Sequence, residues 1–131
     1  MKLFDFGTAT EMTEKRRHNN TNTFKLSKKT GTPKYMAPEV YLGHPYNEKC
    51  DLYSFAILMW HCLEGKRPFE HYNDAMMEGR VFLGKEVPKF NRDWSRTLKL
   101  LLVNCLRRDF DNRHSASDVM SSLNIEIGKL M

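Results

Sequence analysis

Residues 31–40 read GTPKYMAPEV, and residues 51–60 behind them read DLYSFAILMW. The second stretch belongs to a 12-residue apolar run, Leu52 to Leu63 (LYSFAILMWHCL). Leu52, Phe55, Ala56, Met59, Cys62 and Leu63 share one face at helical spacing, and Tyr53, Ile57, Leu58 and Trp60 make the other faces apolar too. A helix apolar all round is a buried one, so this segment is the expected centre of the core. Asp51 is placed to cap its start, and Gly65 with Pro68 behind it to stop it. Ser54 and His61 interrupt the run, and it falls short of the ~20 apolar residues that span a bilayer.

Working outward, a weaker helical pattern runs from Asn73 to Arg80. A stronger one runs from Ser95 to Leu106, where Leu98, Leu101, Leu102 and Cys105 share a face. Ser115 and Asp118 have the spacing of a capping box, opening a last helix through Val119, Met120, Leu123 and Ile127. Upstream, Lys2 to Phe6 reads as the end of a strand stopped by Gly7, and residues 8–34 keep no period and read as loop. The expectation is one mainly helical domain whose first forty or so residues are mostly loop.

The chain has 131 residues, of which 40% are hydrophobic and 28% charged, which suits one globular domain and excludes collagen-like or wholly disordered readings. Its opening, MKLFDFG, lacks the apolar stretch and cleavage site of a signal peptide. Cys50, Cys62 and Cys105 are odd in number and form no CxxC pair, and the five histidines form no HxxxH. Reduced thiols and a cytoplasmic location follow as expectations, with no zinc site and no membrane partner. The net charge of +5 is concentrated: residues 15–34 hold seven Lys and Arg and no acid, leaving 14 basic against 16 acidic residues elsewhere. Such a run reads first as a solvated loop, mobile over residues 15–30 until a phosphate or acidic partner neutralises it. Nucleic-acid binding is the weakest reading, because no recognised fold or aromatic pattern accompanies the charge.

Four motifs in order carry a resemblance: Asp5-Phe6-Gly7, then GTPKYMAPEV, then DLYSFAILMW with GKRPFE (65–70), then CLRRDFDNRHSASDV (105–119). Together they resemble the C-terminal lobe of a eukaryotic protein kinase, over nearly the whole chain. YMAPEV and SFAILMW are most similar to the tyrosine-kinase-like group of serine/threonine kinases. Two positions depart from the pattern: His114 stands where the family often has proline, and Leu106 where that group often has Trp. The fold implied is a helical kinase C-lobe fragment without an N-lobe, with residues 1–39 as the DFG-to-APE activation segment and 40–131 as the helical lobe.

The resemblance implies roles by position. Asp5 matches the DFG aspartate, a Mg²⁺ ligand bridging ATP phosphates; Phe6 matches the packing residue of that motif, and Gly7 supplies its backbone freedom. Thr32, Pro33 and Tyr35 match the substrate-docking loop, where Thr32 would bond the catalytic aspartate and lysine, and GTPKY argues for Ser/Thr acceptors. Glu39 would pair with Arg113, and Asp51 would accept N–H groups of the catalytic loop. Thr21, Thr23, Ser27 and Thr30 are candidate phosphoacceptors for an upstream activating kinase. Cys105 matches a buried position.

The 131 residues contain no GxGxxG loop, no VAIK-type lysine, no paired helix glutamate and no HRDxxxxN. The family activity implied is ATP- and Mg²⁺-dependent phosphorylation of protein Ser/Thr, with no catalytic base in this chain and weak or no nucleotide binding by it alone. The alternative is a non-catalytic, kinase-derived module that binds substrates or partners. Without its usual neighbours, the Leu52–Leu63 helix is expected to leave an apolar face uncovered.

Overall fold

A computed structural model describes residues 5–131. The strand expected at Lys2 to Phe6 falls largely on residues 2–4, outside the described residues, while Asp5 and Phe6 are irregular. Among the described residues the architecture is helical: α1 Pro38–Leu42, α2 Lys49–Glu64, α3 Asp74–Met76 continued by a π-helical turn Met77–Phe82, α4 Arg96–Cys105 and α5 Ala116–Leu130. Short 3-10 turns occupy Glu14–Arg16, Pro33–Tyr35 and Phe110–Asn112.

α2 is the axis of the core, but two details of its reading are corrected. Its first residue is Lys49, so Asp51 lies inside the first turn and caps nothing; instead the Asn47 side chain accepts the Lys49 N–H at 3.1 Å. Its buried residues are Tyr53, Ala56 and Ile57, whereas Leu58, Cys62 and Leu63 are exposed. An apolar circumference says that a helix is wanted inside; only the neighbours decide which face gets there. Here α4 supplies Leu101, Leu102 and Cys105, α5 supplies Val119, and the π-helical turn supplies Met77, Val81 and Phe82. The helix stops at Gly65, whose left-handed backbone (φ 65°) turns its N–H back to the His61 carbonyl.

The remaining helix starts follow their local chemistry. Ser95 caps α4 through the Leu98 N–H at 3.1 Å. Ser115 and Asp118 form the reciprocal capping box of α5, at 3.2 and 2.8 Å. Asn73 caps α3, and the helix then widens into the π turn and runs to Phe82, two residues past the expected end. Gly84 follows because a Cβ there would lie 2.6 Å from the Arg80 carbonyl oxygen.

The basic segment is not a loose loop. His18 N–H donates to the Thr23 carbonyl and Lys25 N–H to the Arg16 carbonyl, both at 2.8 Å, making a small hairpin about the facing pair Arg17 and Phe24. Asn19 and Asn20 (φ 46° and 56°) take its turn, as Asn tolerates left-handed backbone better than most residues. Phe24 is buried and exchanges two backbone hydrogen bonds with Tyr46, while Asn47 Nδ2 holds the Asn22 carbonyl at 3.0 Å. One aromatic anchor and a row of backbone bonds therefore order a segment whose charge alone argues for mobility.

Candidate functional site: an acid-lined cavity

The segment after Asp5, residues 26–37 and the start of α2 surround an open cavity of about 560 Å³. Asp5, Thr32 and Asp51, which lie far apart in sequence, all line it. Asp5 is exposed with a left-handed backbone (φ 62°), and its Oδ1 accepts the Gly7 N–H at 3.2 Å. Phe6 lines the same space and is 71% exposed. Glu48 adds a third carboxylate, and none of the described lining residues is Lys, Arg or His. The walls between are apolar, from Met36, Ala37, Val40 and Tyr46.

Cys50 also lines this cavity. Burial, followed by the charges of Asp51 and Glu39, pushes its thiol up to about 12, so it stays protonated and unreactive at neutral pH. Burial likewise lifts the Tyr53 hydroxyl to about 12 and the Cys105 thiol to about 11.

The segment expected to be a docking loop, residues 31–39, is held from below. Pro33 opens its 3-10 turn, Thr32 is exposed, and Tyr35 hydroxyl meets His61 Nδ1 at 2.7 Å. Lys34 Nζ donates to the carbonyls of Phe69 and Glu70 at 2.7 and 3.1 Å. Glu39, at the loop's end, receives the Arg113 guanidinium in a fork, 2.7 Å to Oε1 and 3.2 Å to Oε2. Both side chains are buried, and Arg113 also donates to the carbonyls of Lys49 and Arg107. Lys49 completes the junction by donating to the carbonyls of Asp111 and Arg113. Sequence reasoning missed Lys34, Asn47, Lys49 and His61, because each acts through backbone groups or a single hydroxyl that no spacing reveals.

The candidate phosphoacceptors lie on the basic segment. Thr21 is exposed at the hairpin turn and its hydroxyl is 2.6 Å from both the His18 carbonyl and the half-buried Thr23 hydroxyl. Ser27 is exposed, and its carbonyl accepts the Tyr46 hydroxyl at 2.8 Å. Thr30 is half-buried and lines the cavity.

A family profile described as protein kinase domain matches residues 1–123. This chain belongs to the protein kinase family. It is 39% identical over 95 residues to the dual specificity protein kinase shkD of Dictyostelium discoideum, covering 72% of this chain and 13% of that protein. With the serine/threonine-protein kinase pakC of the same organism it is 35% identical over 124 residues, 92% of this chain and 24% of that protein. The serine/threonine-protein kinase VIK of Arabidopsis thaliana is 29% identical over 123 residues, 94% of this chain and 27% of VIK. The chain thus spans between 13% and 27% of the length of these relatives.

Protein kinases use ATP with Mg²⁺, and the residues at this cavity do not suffice for that pair. Mg²⁺ is usually held by carboxylate and phosphate oxygens together, and a triphosphate needs cations or N–H groups around it. Here the described lining has three carboxylates and no cation, and among the described residues no three His, Cys, Asp or Glu are grouped so that they could hold a metal ion. A bare triphosphate would meet like charge.

Proposed function

We propose that this chain is the C-terminal lobe of a serine/threonine protein kinase domain of the tyrosine-kinase-like group, read from the DFG motif onward. By itself it transfers no phosphate. The observation that carries this reading is the convergence of Asp5, Thr32 and Asp51 on one open cavity. The resemblance assigns each of them a partner on the nucleotide or the catalytic loop, and the 131 residues hold neither HRDxxxxN nor GxGxxG. In a complete domain Asp5 would hold Mg²⁺, and a Ser/Thr-bearing protein substrate would dock over Thr32, Pro33 and Tyr35. A cytoplasmic location belongs to the same proposal and accords with three unpaired thiols.

A second reading, a non-catalytic module that binds substrates or partners, draws on the bonds from Lys34 and Tyr35, which order the docking loop from within this chain. Calorimetry of the 131-residue chain with MgATP tests the first reading. No heat of binding at micromolar nucleotide is expected, and micromolar affinity that disappears in Asp5→Ala would overturn it.

A further inference from the structure

A second, smaller cavity of about 160 Å³ lies where Pro38 of α1, Tyr53 of α2, Val81 of the π-helical turn and the residues after α4 meet, and it shares no lining residue with the first. Val87 and Leu106 complete its apolar walls, and Lys85, Glu86 and Arg108 bring charge to it. Tyr53 keeps only 2% of its surface, yet its hydroxyl takes part in no hydrogen bond among the described residues. A buried polar group is costly unless something meets it. Burial holds that hydroxyl up at about 12, against the pull of the Arg113 and Arg108 charges, so at neutral pH it carries its proton and can donate. The Arg108 guanidinium gives one N–H to the Val81 carbonyl at 3.0 Å and is ion-paired with no acid among the described residues, which leaves it donors to spare. Lys85 is exposed, stands in left-handed backbone (φ 65°) and is likewise unpaired among the described residues. Glu86 is engaged by the Tyr72 hydroxyl at 2.6 Å.

We propose that this cavity binds a short-chain monocarboxylate as a free small molecule, its carboxylate meeting the Tyr53 hydroxyl and the Arg108 guanidinium and its carbon chain lying on Val81, Val87 and Leu106. Two cations and one carboxylate leave a single net positive charge in the lining, which one anionic charge neutralises and a phosphate dianion overshoots. Inorganic phosphate also wants donors on every side, whereas the walls opposite the charged groups are apolar. The space holds a few waters or a carboxylate of a few carbons. It is well below the roughly 300 Å³ at which pockets for drug-sized ligands begin, so neither a nucleotide nor a peptide backbone fits. The Arg113 guanidinium sits 5.4 Å from the Tyr53 ring centroid, so occupancy also braces the Glu39–Arg113 junction. The site needs neither phosphoryl transfer nor the larger cavity.

The test titrates the isotope-labelled 131-residue chain with sodium butyrate and follows the amide chemical shifts, with butyramide, inorganic phosphate and acetyl-glutamate amide as companion probes. A ligand of so few atoms is expected to bind at millimolar concentration, with saturable shifts at Val81, Lys85, Glu86 and Val87 and none from butyramide. Tyr53→Phe, which removes only the hydroxyl, and Arg108→Gln should each weaken butyrate about tenfold, and Lys85→Gln about threefold. Lys89→Gln, the same charge change on an exposed residue outside the lining, should stay within about twofold. Arg108 also holds the Val81 carbonyl, so Tyr53→Phe and Lys85→Gln decide the case if Arg108→Gln loses the fold. No saturable shift with butyrate, shifts confined to the larger cavity, equal binding of butyramide, tighter binding of phosphate or of acetyl-glutamate amide, or unchanged affinity in Tyr53→Phe would overturn the inference.

Discussion

Replacing Arg113 with alanine strands the Glu39 carboxylate. The two side chains are linked at 2.7 and 3.2 Å, and the residues keep only 2% and 5% of their surface. An exposed pair of this kind is worth under about 1 kcal/mol, but breaking a buried one leaves an unpaired charge and costs roughly 3–5 kcal/mol. The carbonyls of Arg107 and Lys49 lose a donor in the same step, which adds to the cost. For a domain of this size, 1 kcal/mol moves the melting temperature by about 4 °C, so a drop on the order of 10–20 °C is expected. Arg113→Lys should recover only part of it, because an ammonium cannot fork across both carboxylate oxygens. A thermal-melt double-mutant cycle with Glu39→Ala should show a coupling of about 1–3 kcal/mol. An unchanged melting temperature in Arg113→Ala, or additive single variants, would refute the reasoning.

Two further outcomes follow from burial and from the hairpin. The Cys50 thiol goes from 9.0 to about 12 in the fold and the Tyr53 hydroxyl from 10.0 to about 12, so the unfolded chain ionises first. Their contribution to stability is therefore full below about pH 9 and lost as pH rises toward 12; melting temperatures should fall over that window, less steeply in Cys50→Ala, and a flat profile would contradict this. In hydrogen exchange, the Phe24 amide, which donates to the Tyr46 carbonyl, and the Lys25 amide, which donates across the hairpin, should exchange more slowly than those of Thr8 and Thr10, and Phe24→Ala should erase the difference.

Much of the helical frame was legible because its signals are local. Ser95 and the Ser115–Asp118 box announce their helices through hydroxyl and carboxylate positions set by a single turn, and Gly65 ends α2 for a similarly local reason. The face that α2 buries was not legible: with Tyr53, Ile57 and Leu58 all apolar, the choice belongs to α4, α5 and the π turn. The hairpin was hidden for a different reason. It rests on one isolated bridge, Arg17 with Phe24, and carries one apolar residue, Phe24, whose value depends on Tyr46 more than twenty residues away. Of the cavity, the motif positions Asp5, Thr32 and Asp51 could be named beforehand, and the pairing of Glu39 with Arg113 was expected from the motif pattern. The bonds from Lys34, Asn47 and Lys49 that fix the surrounding loops end on backbone carbonyls, which leave no trace in residue type.

The most direct measurement fuses this chain behind a kinase segment that supplies the glycine-rich loop, the strand lysine, the helix glutamate and HRDxxxxN, then follows labelled phosphate from ATP into a Ser/Thr peptide. The expected result is transfer by the fusion, none by the 131-residue chain alone, and loss of transfer in the fusion carrying Asp5→Ala. Transfer by the chain alone, or transfer in the fusion that survives Asp5→Ala, would contradict the assignment of the cavity.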